Sequence, residues 1–315
     1  MKDSINVAVG VLFDDEGKII ISQRQEGKPS GGLWEFPGGK QEYGEKIEET
    51  LSRELFEELG IKIIKYRPLI SLISTENESK LTLNVFLINS WTGDIDGREG
   101  QKINSVLIPD LEKFPMPKSN QFILKALALP DRFLITPPNV DDRTQFINNL
   151  EKTFKQGISL FQLRVFGLEE SSHLDLINEI QQISHDKNVK MLLNGSFDLL
   201  EKTDLSSIHL SSSQLSILKN RPMGIDFISA SCHNINDLEN AEKIDVDFAV
   251  LSPVLPTKSH PDAEPLGWEN FERLSSEVNF PIFALGGMRE EHLKKSWKYG
   301  AQGIAGIRGF WPENI

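Results

Sequence analysis

Eight short apolar runs, each trailed by a stretch of helical length, occupy the C-terminal part of the chain and leave it few ways to fold. They lie at 133–136 (FLIT), 160–165 (LFQLRV), 189–195 (VKMLLNG), 207–210 (SIHL), 227–232 (FISASC), 247–253 (DFAVLSP), 281–287 (PIFALGG) and 303–309 (GIAGIRG). Apolar runs of this length without polar alternation suit strands covered on both faces, as parallel strands flanked by helices are. Eight such strand-and-helix units predict a (β/α)8 barrel. At about 185 residues it is small beside the ~250 typical of such barrels. The chain stops six residues after the eighth run, so the last barrel helix is expected to be truncated.

Residues 1–130 have a different rhythm. Residues 5–13 (INVAVGVLF) and 19–22 read as strands joined through Asp14-Asp15-Glu16-Gly17, a hairpin signal. Residues 68–74 and 80–90 read as two more strands. Residues 119–128 have helical spacing after Pro115 and Pro117, with Ser119 or Asn120 as the cap. Mixed strands around one central helix, closed by a second, predict an α/β/α sandwich ending near Pro130, with LALPDRF as the boundary. The expected organisation is α/β throughout: a sandwich domain at 1–130 and a TIM-type barrel at 131–315.

At 315 residues the chain is long enough for two domains. A formal net charge of −12 argues against a broad footprint for a nucleic-acid polymer, which needs a basic face. A small anionic ligand neutralised by a metal remains compatible. The single cysteine, Cys232, excludes an internal disulfide, and the start MKDSINVAVG lacks a secretory pattern. No apolar run approaches the ~20 residues of a membrane span, so no membrane partner is expected. These readings place the protein in the cytoplasm and leave its oligomeric state open.

The chemistry concentrates between Gly39 and Ile61, GKQEYGEKIEETLSRELFEELGI. On a helix Glu54, Glu57 and Glu58 stand at i, i+3 and i+4, so three carboxylates crowd one face and call for a cation. Ile47, Leu51 and Leu55 repeat every four residues on another face and supply the stripe that holds the helix to a core. Hard oxygen ligands suit Mg²⁺, or Mn²⁺, rather than zinc. A solvated acidic helix is the plain alternative, but it would not also need Gly39, Glu45, Arg53 and Gly60 at these offsets.

The nine specified positions resemble the complete Nudix box, and residues 4–130 resemble the MutT-type branch of the Nudix hydrolases, with WEFPGGK at 34–40, GREGQ at 97–101 and FPMPKSN at 114–120 in order. The resemblance implies metal binding by Glu54, Glu57, Glu58 and the Gly39 carbonyl, with Arg53 orienting Glu54 and Glu45 supporting them. Glu99 matches a further metal-binding or base position, or is an exposed loop acid. Either Glu54 or Glu99 could serve as general base, and Glu54 is the expected one. The implied reaction is substitution at the β-phosphorus, giving nucleoside monophosphate and pyrophosphate.

Asn120 matches the family asparagine that reads an oxidised guanine edge. Guanine presents two acceptors there, O6 and N7, whereas 8-oxoguanine presents an acceptor beside a donor, which an amide complements. A helix cap is the alternative for Asn120. Arg24 and Phe36 fall where family members line the nucleotide pocket, although an exposed arginine and a core phenylalanine explain them equally well.

Residues 133–311 resemble thiamine phosphate synthases, through QLR at 162–164, LLN at 192–194, HL at 209–210, SCH at 231–233, SPVLPT at 252–257, PLGW at 265–268, ALGGM at 284–288 and GIAGIRG at 303–309. Several expected groups are replaced. Val165 and Phe166 follow QLR, Gly195 and Gln214 stand near positions of expected aspartates, and His260 replaces a lysine. The barrel is therefore expected to be catalytically degenerate. Gly286, Gly287, Arg308 and Gly309 are candidate phosphate-binding positions, or simply permit tight turns. Cys232 beside His233 is expected to be structural rather than a nucleophile and its base.

The expected function is Mg²⁺-dependent hydrolysis of 8-oxo-dGTP, a small-molecule nucleotide substrate. The alternatives are Nudix hydrolysis of thiamine diphosphate or a damaged analogue, and a barrel that binds a small phosphate as a regulatory module.

Overall fold

A computed structural model describes residues 5–27, 31–76, 79–257 and 262–312. The chain divides into two units, Met1–Ala128 and Leu129–Ile315.

The first unit runs β1 (Ile5–Leu12), β2 (Ile19–Gln23), β3 (Trp34–Glu35), β4 (Gly38–Lys40), α1 (Ile47–Leu59), β5 (Lys62–Glu76), β6 (Ser79–Thr92), β7 (Lys102–Val106) and α2 (Asn120–Leu127). One sheet has the order β4-β1-β6-β5, with β1 parallel to β6 and the other pairs antiparallel. A second, antiparallel sheet has the order β3-β2-β7.

The expected hairpin is half right. The tight turn forms, with Asp14 N–H donating to Lys18 O at 2.9 Å and Gly17 N–H to Asp14 O at 3.0 Å. Only one bridge, Phe13 to Ile19, joins the two strands before they part into different sheets. The reason lies in β1, whose two edges are already taken by β4 and β6.

Alternation along β1 sets the layers. Ala8 and Leu12 pack with Leu51, Leu55 and Leu59 of α1, while Val9 and Val11 pack on the other side with Ile123 and Ala126 of α2. Gly10 lies under α1, where a Cβ would stand 2.8 Å from the Leu55 side chain. The apolar stripe predicted for α1 is thus the seam that fixes the helix's rotation, and Ile47 joins it at the edge.

The second unit is a closed parallel barrel of β8 (Arg132–Ile135), β9 (Leu160–Leu163), β10 (Lys190–Leu193), β11 (Ser207–Leu210), β12 (Phe227–Cys232), β13 (Phe248–Leu251), β14 (Ile282–Leu285) and β15 (Gly303–Gly306). Each strand falls on one of the eight apolar runs. The intervening helices are α3 (Arg143–Lys155), α4 (Glu170–Asp186), α5 (Phe197–Leu200), α6 (Ser212–Ile217), α7 (Ile235–Lys243), α8 (Gly267–Ser275) and α9 (Leu293–Lys298). Outward side chains such as Leu134, Phe161 and Leu163 form the large layer beneath the helices. Inward ones form a separate cluster around Phe133, Phe248 and Phe283, whose rings meet at 5.1–5.7 Å. After β15 the described residues make turns rather than a helix, and Trp311 packs on Phe146 of α3 at 5.1 Å. No helix among the described residues is long and apolar enough to cross a membrane.

Candidate functional site

Burial of Leu51, Leu55 and Leu59 turns the acids of α1 toward β4. At Gly39 a side-chain Cβ would overlap the Glu54 carboxylate, so a glycine there lets the acid lie directly on the strand. Glu58 accepts a hydrogen bond from Gly38 N–H at 3.1 Å. Burial pushes the Glu58 pKa up to about 8; the Gly38 N–H opposes this, and the charges of Glu54, Glu35 and Glu99 add to it. Glu54 is also raised, chiefly by burial, against the hydrogen bond from Arg53.

Arg53 is the hub of the opposite tendency. Its Nε and Nη2 donate to the two oxygens of Glu45 at 2.7 and 3.0 Å, and its Nη1 donates to Glu54 at 2.8 Å and Glu57 at 3.1 Å. The arginine hydrogen bond, with help from Glu42 N–H and Thr50 Oγ1, holds Glu45 down at about 2. Glu57 is half exposed and turned to Arg53. The loop bearing Glu99 is tied back to the helix: Arg98 N–H and Gln101 Nε2 donate to Glu58 O at 3.0 and 2.9 Å, and Gln25 Nε2 donates to Glu99 O. Glu54, Glu58 and Glu99 therefore share one electrostatic neighbourhood, together with Glu35, which the sequence reading missed.

Among the described residues no three such side chains are already assembled as a metal cage. The donor set nevertheless fits a divalent cation. Two part-buried acids, both with raised pKa values, have among the described residues no ion pair besides that of Glu54 with Arg53, and every donor is a hard oxygen.

Asn120 is not the cap of α2. Ser119 occupies that place, without a side-chain cap bond, and Asn120 is the first helical residue, 6% exposed, with its Nδ2 lacking a hydrogen-bond partner. Phe36 belongs to the core beneath α2. Arg24 pairs with Glu35 at 3.3 Å.

In the barrel, Gln162 and Arg164 share the inward face with Leu160 by alternation. Gln162 is 3% exposed with its Oε1 unpartnered. Arg164 is half-buried, stacks on Phe166 at 4.7 Å and has its pKa lowered by burial. His209 is fully buried between Ser229 Oγ at 2.7 Å and Ser231 Oγ at 2.8 Å, and burial, then the Arg164 charge, drops its pKa to about 3. It is a neutral imidazole that donates through one nitrogen and accepts through the other.

A family model for thiamine monophosphate synthase matches residues 132–310, and a Nudix domain model matches residues 4–127. The chain belongs to both families, a Nudix domain joined to a thiamine monophosphate synthase domain. A putative thiamine-phosphate synthase 2 of Aquifex aeolicus is 34% identical over 52% of this chain and 89% of its own length. An 8-oxo-dGTP diphosphatase of Buchnera aphidicola is 34% identical over 39% of this chain and 92% of its own. A solved MutT structure, from work on Aliivibrio salmonicida and Vibrio cholerae, is 34% identical, covers 39% of this chain and 95% of that one, and superposes with a TM-score of 0.35.

The synthase domain departs from its family pattern in a connected way. Gly195 and Gln214, at or near two positions of expected acids, are bonded to each other, Gln214 Nε2 donating to Gly195 O at 2.8 Å. Gln214 also accepts from Ser211 N–H at 2.9 Å, which caps α6. His260 lies outside the described residues. Cys232 is fully buried in the outer layer, its thiol pushed up by burial, while the adjacent His233 ring meets Ser252 O through Nδ1 at 2.9 Å. A carbonyl has no proton to give, so His233 Nδ1 is the donor. Gly286 and Gly287 have packing reasons of their own. Both have positive φ, and a Cβ would stand 2.8 Å from Pro253 and 2.7 Å from Pro256 O respectively. At Gly309 a Cβ would meet Met288 O at 2.5 Å, and Arg308 is exposed.

Sequence reading named Gln162, Arg164 and His209 only within the QLR and HL matches and gave them no role, because they sit inside largely apolar runs. The available signal was period two within the run, Leu160-Gln162-Arg164.

Proposed function

We propose that the Nudix domain hydrolyses 8-oxo-dGTP to 8-oxo-dGMP and pyrophosphate with Mg²⁺, Mn²⁺ serving as a substitute. The observation that carries the reaction is the pair of buried, proton-favouring acids Glu54 and Glu58 on a glycine cradle. Glu54, Glu57, Glu58, Glu99 and the Gly39 carbonyl would hold the cation. When bound, it neutralises phosphate charge and lowers the pKa of a water. Arg53 holds one oxygen of Glu54 at 2.8 Å and is itself fixed by Glu45, which orients Glu54 to accept the proton of the attacking water. The water's oxygen bonds to the β-phosphorus as the bond from that phosphorus to the α–β bridging oxygen breaks, and nucleoside monophosphate leaves.

Asn120 supports the choice of base. A buried amide donor without a partner is costly unless a ligand supplies the acceptor, and 8-oxoguanine offers that acceptor beside a donor. Pyrophosphate release from 8-oxo-dGTP and dGTP, with Mg²⁺ and a Glu57→Gln control, tests the reading. Strong preference for the oxidised nucleotide is expected, and equal rates sink the sanitising role.

A second reading concerns the synthase domain, which we propose binds a small phosphate without turning it over. Arg164 carries it: a half-buried guanidinium with no ion pair among the described residues suits an anion. Calorimetry of the whole protein with thiamine phosphates should give heat without product. Product formation, or no heat at all, overturns it.

A further inference from the structure

Helix α1 ends badly by its own sequence. Its last turn carries Glu57 and Glu58 and no basic residue, so two negative side chains face the negative end of the helix dipole. Its final carbonyls also need donors that the helix cannot supply. Gly60, in the left-handed region at φ 78°, satisfies one by donating to Phe56 O at 3.0 Å.

The segment 96–101 serves two more of them from a distance in sequence. Asp96 N–H donates to Leu59 O at 3.1 Å, and Arg98 N–H and Gln101 Nε2 both donate to Glu58 O. The Arg98 guanidinium then lies across the Cα of Gly60, where any Cβ would overlap it, and over the Phe56 ring at 5.3 Å. Lys62 Nζ stands 5.9 Å from the same ring, so two cations attend a helix end whose last turn has none, and the Arg98 stack is one that only glycine at position 60 permits. Glu99 is the next residue. Its N–H donates to Gln101 Oε1 at 2.9 Å, and its carbonyl accepts from Gln25. Its charge reaches both Glu54 and Glu58.

We infer that Arg98, stacked between Gly60 and Phe56, is a positioning residue that caps α1 and thereby sets Glu99 against Glu54 and Glu58. Arg98 touches no reacting atom in this role. The inference rests on the Nudix reading of these acids, and it assigns the terminal glycine of the box a task beyond ending the helix.

The test combines equilibrium Mn²⁺ binding, followed by electron spin resonance of the free ion, with amide hydrogen exchange on the full chain. Arg98→Ala is expected to weaken Mn²⁺ binding about tenfold, the usual scale for groups that orient ligands. It should speed exchange of the 97–101 amides while the amides of α1 stay protected. Arg98→Lys keeps a cation over the ring and should recover most of the affinity. Phe56→Leu should cost less than Arg98→Ala, and the double variant should lose no more than Arg98→Ala alone, since the two act as one unit. Wild-type affinity in Arg98→Ala, with Glu99→Gln weakened, overturns the inference. If the wild type binds no Mn²⁺, the Nudix metal reading falls, and exchange alone decides: unchanged protection of 97–101 in Arg98→Ala then overturns the positioning role.

Discussion

The two halves of this chain bury charge of opposite sign. In the Nudix domain Glu54 and Glu58 are acids made reluctant to ionise first by burial and then by neighbouring acids, Glu57 and Glu99 for Glu54, and Glu54, Glu35 and Glu99 for Glu58. In the synthase domain Arg164 and His209 are bases made reluctant to hold a proton, and no carboxylate among the described residues relieves them. One centre wants a cation and the other an anion. Burial is tolerated in each because hydrogen bonds do part of the work of a counter-charge, Gly38 N–H for Glu58 and two serines for His209. The proposed division of labour, metal-assisted hydrolysis in one half and anion binding in the other, rests on this difference.

The contrast breaks first if catalysis does not reside in the Nudix half. Glu57→Gln should lower pyrophosphate release on the order of 100-fold or more, while Arg164→Gln should leave it unchanged; a loss in the second variant, measured in the same phosphate assay, would dissolve the division of labour. Next in size is specificity. Asn120→Ala should reduce the preference for 8-oxo-dGTP over dGTP roughly 10- to 100-fold, read as the ratio of kcat/KM values.

The opposite signs also give opposite pH dependences. Between the unfolded value of 4.5 and about 8, folded Glu58 keeps a proton the unfolded chain has released, so its contribution makes stability fall as pH rises. Between about 3 and 6.5, unfolded His209 carries a proton the folded residue lacks, so its contribution makes stability rise with pH. Denaturant titrations in EDTA should show the first slope flatten in Glu58→Gln and the second persist; identical slopes in wild type and variant would remove Glu58 as its source. The smallest expected effect is Ser231→Ala, which orphans one His209 nitrogen and should cost about 1–2 kcal/mol in the barrel transition, with no change in Nudix activity.

The sequence made the barrel legible because its strands are covered on both sides. Runs such as 248–251, Phe248-Ala249-Val250-Leu251, have nowhere to go but a buried parallel sheet. The same uniformity hid the inward polar residues, since Gln162 and His209 interrupt apolar runs by only one position each. In the Nudix half the helix was readable from Leu51, Leu55 and the acids between them. The sheets were not: β3 and β4 are two and three residues long, and the parting of β1 from β2 is decided by edge pairing with distant β4 and β6. Glu99 entered as a candidate only through the resemblance to the Nudix family, with an exposed loop acid as the alternative. What holds it in place, Arg98 on Phe56, depends on a contact across about forty residues that no local pattern displays.

The ring cluster of Phe133, Phe248 and Phe283 bears on which positions of the barrel tolerate change. It fills the inside of the barrel, and Phe133 also meets the buried His209 ring at 6.2 Å, whereas Gly195 follows β10 and Gln214 lies on α6, outside the strands. Changes at such positions need not disturb the rings within. Gly195 and Gln214 can therefore be bonded to each other beyond the strands of a well-formed barrel. The keel of this barrel and its deck are different residues.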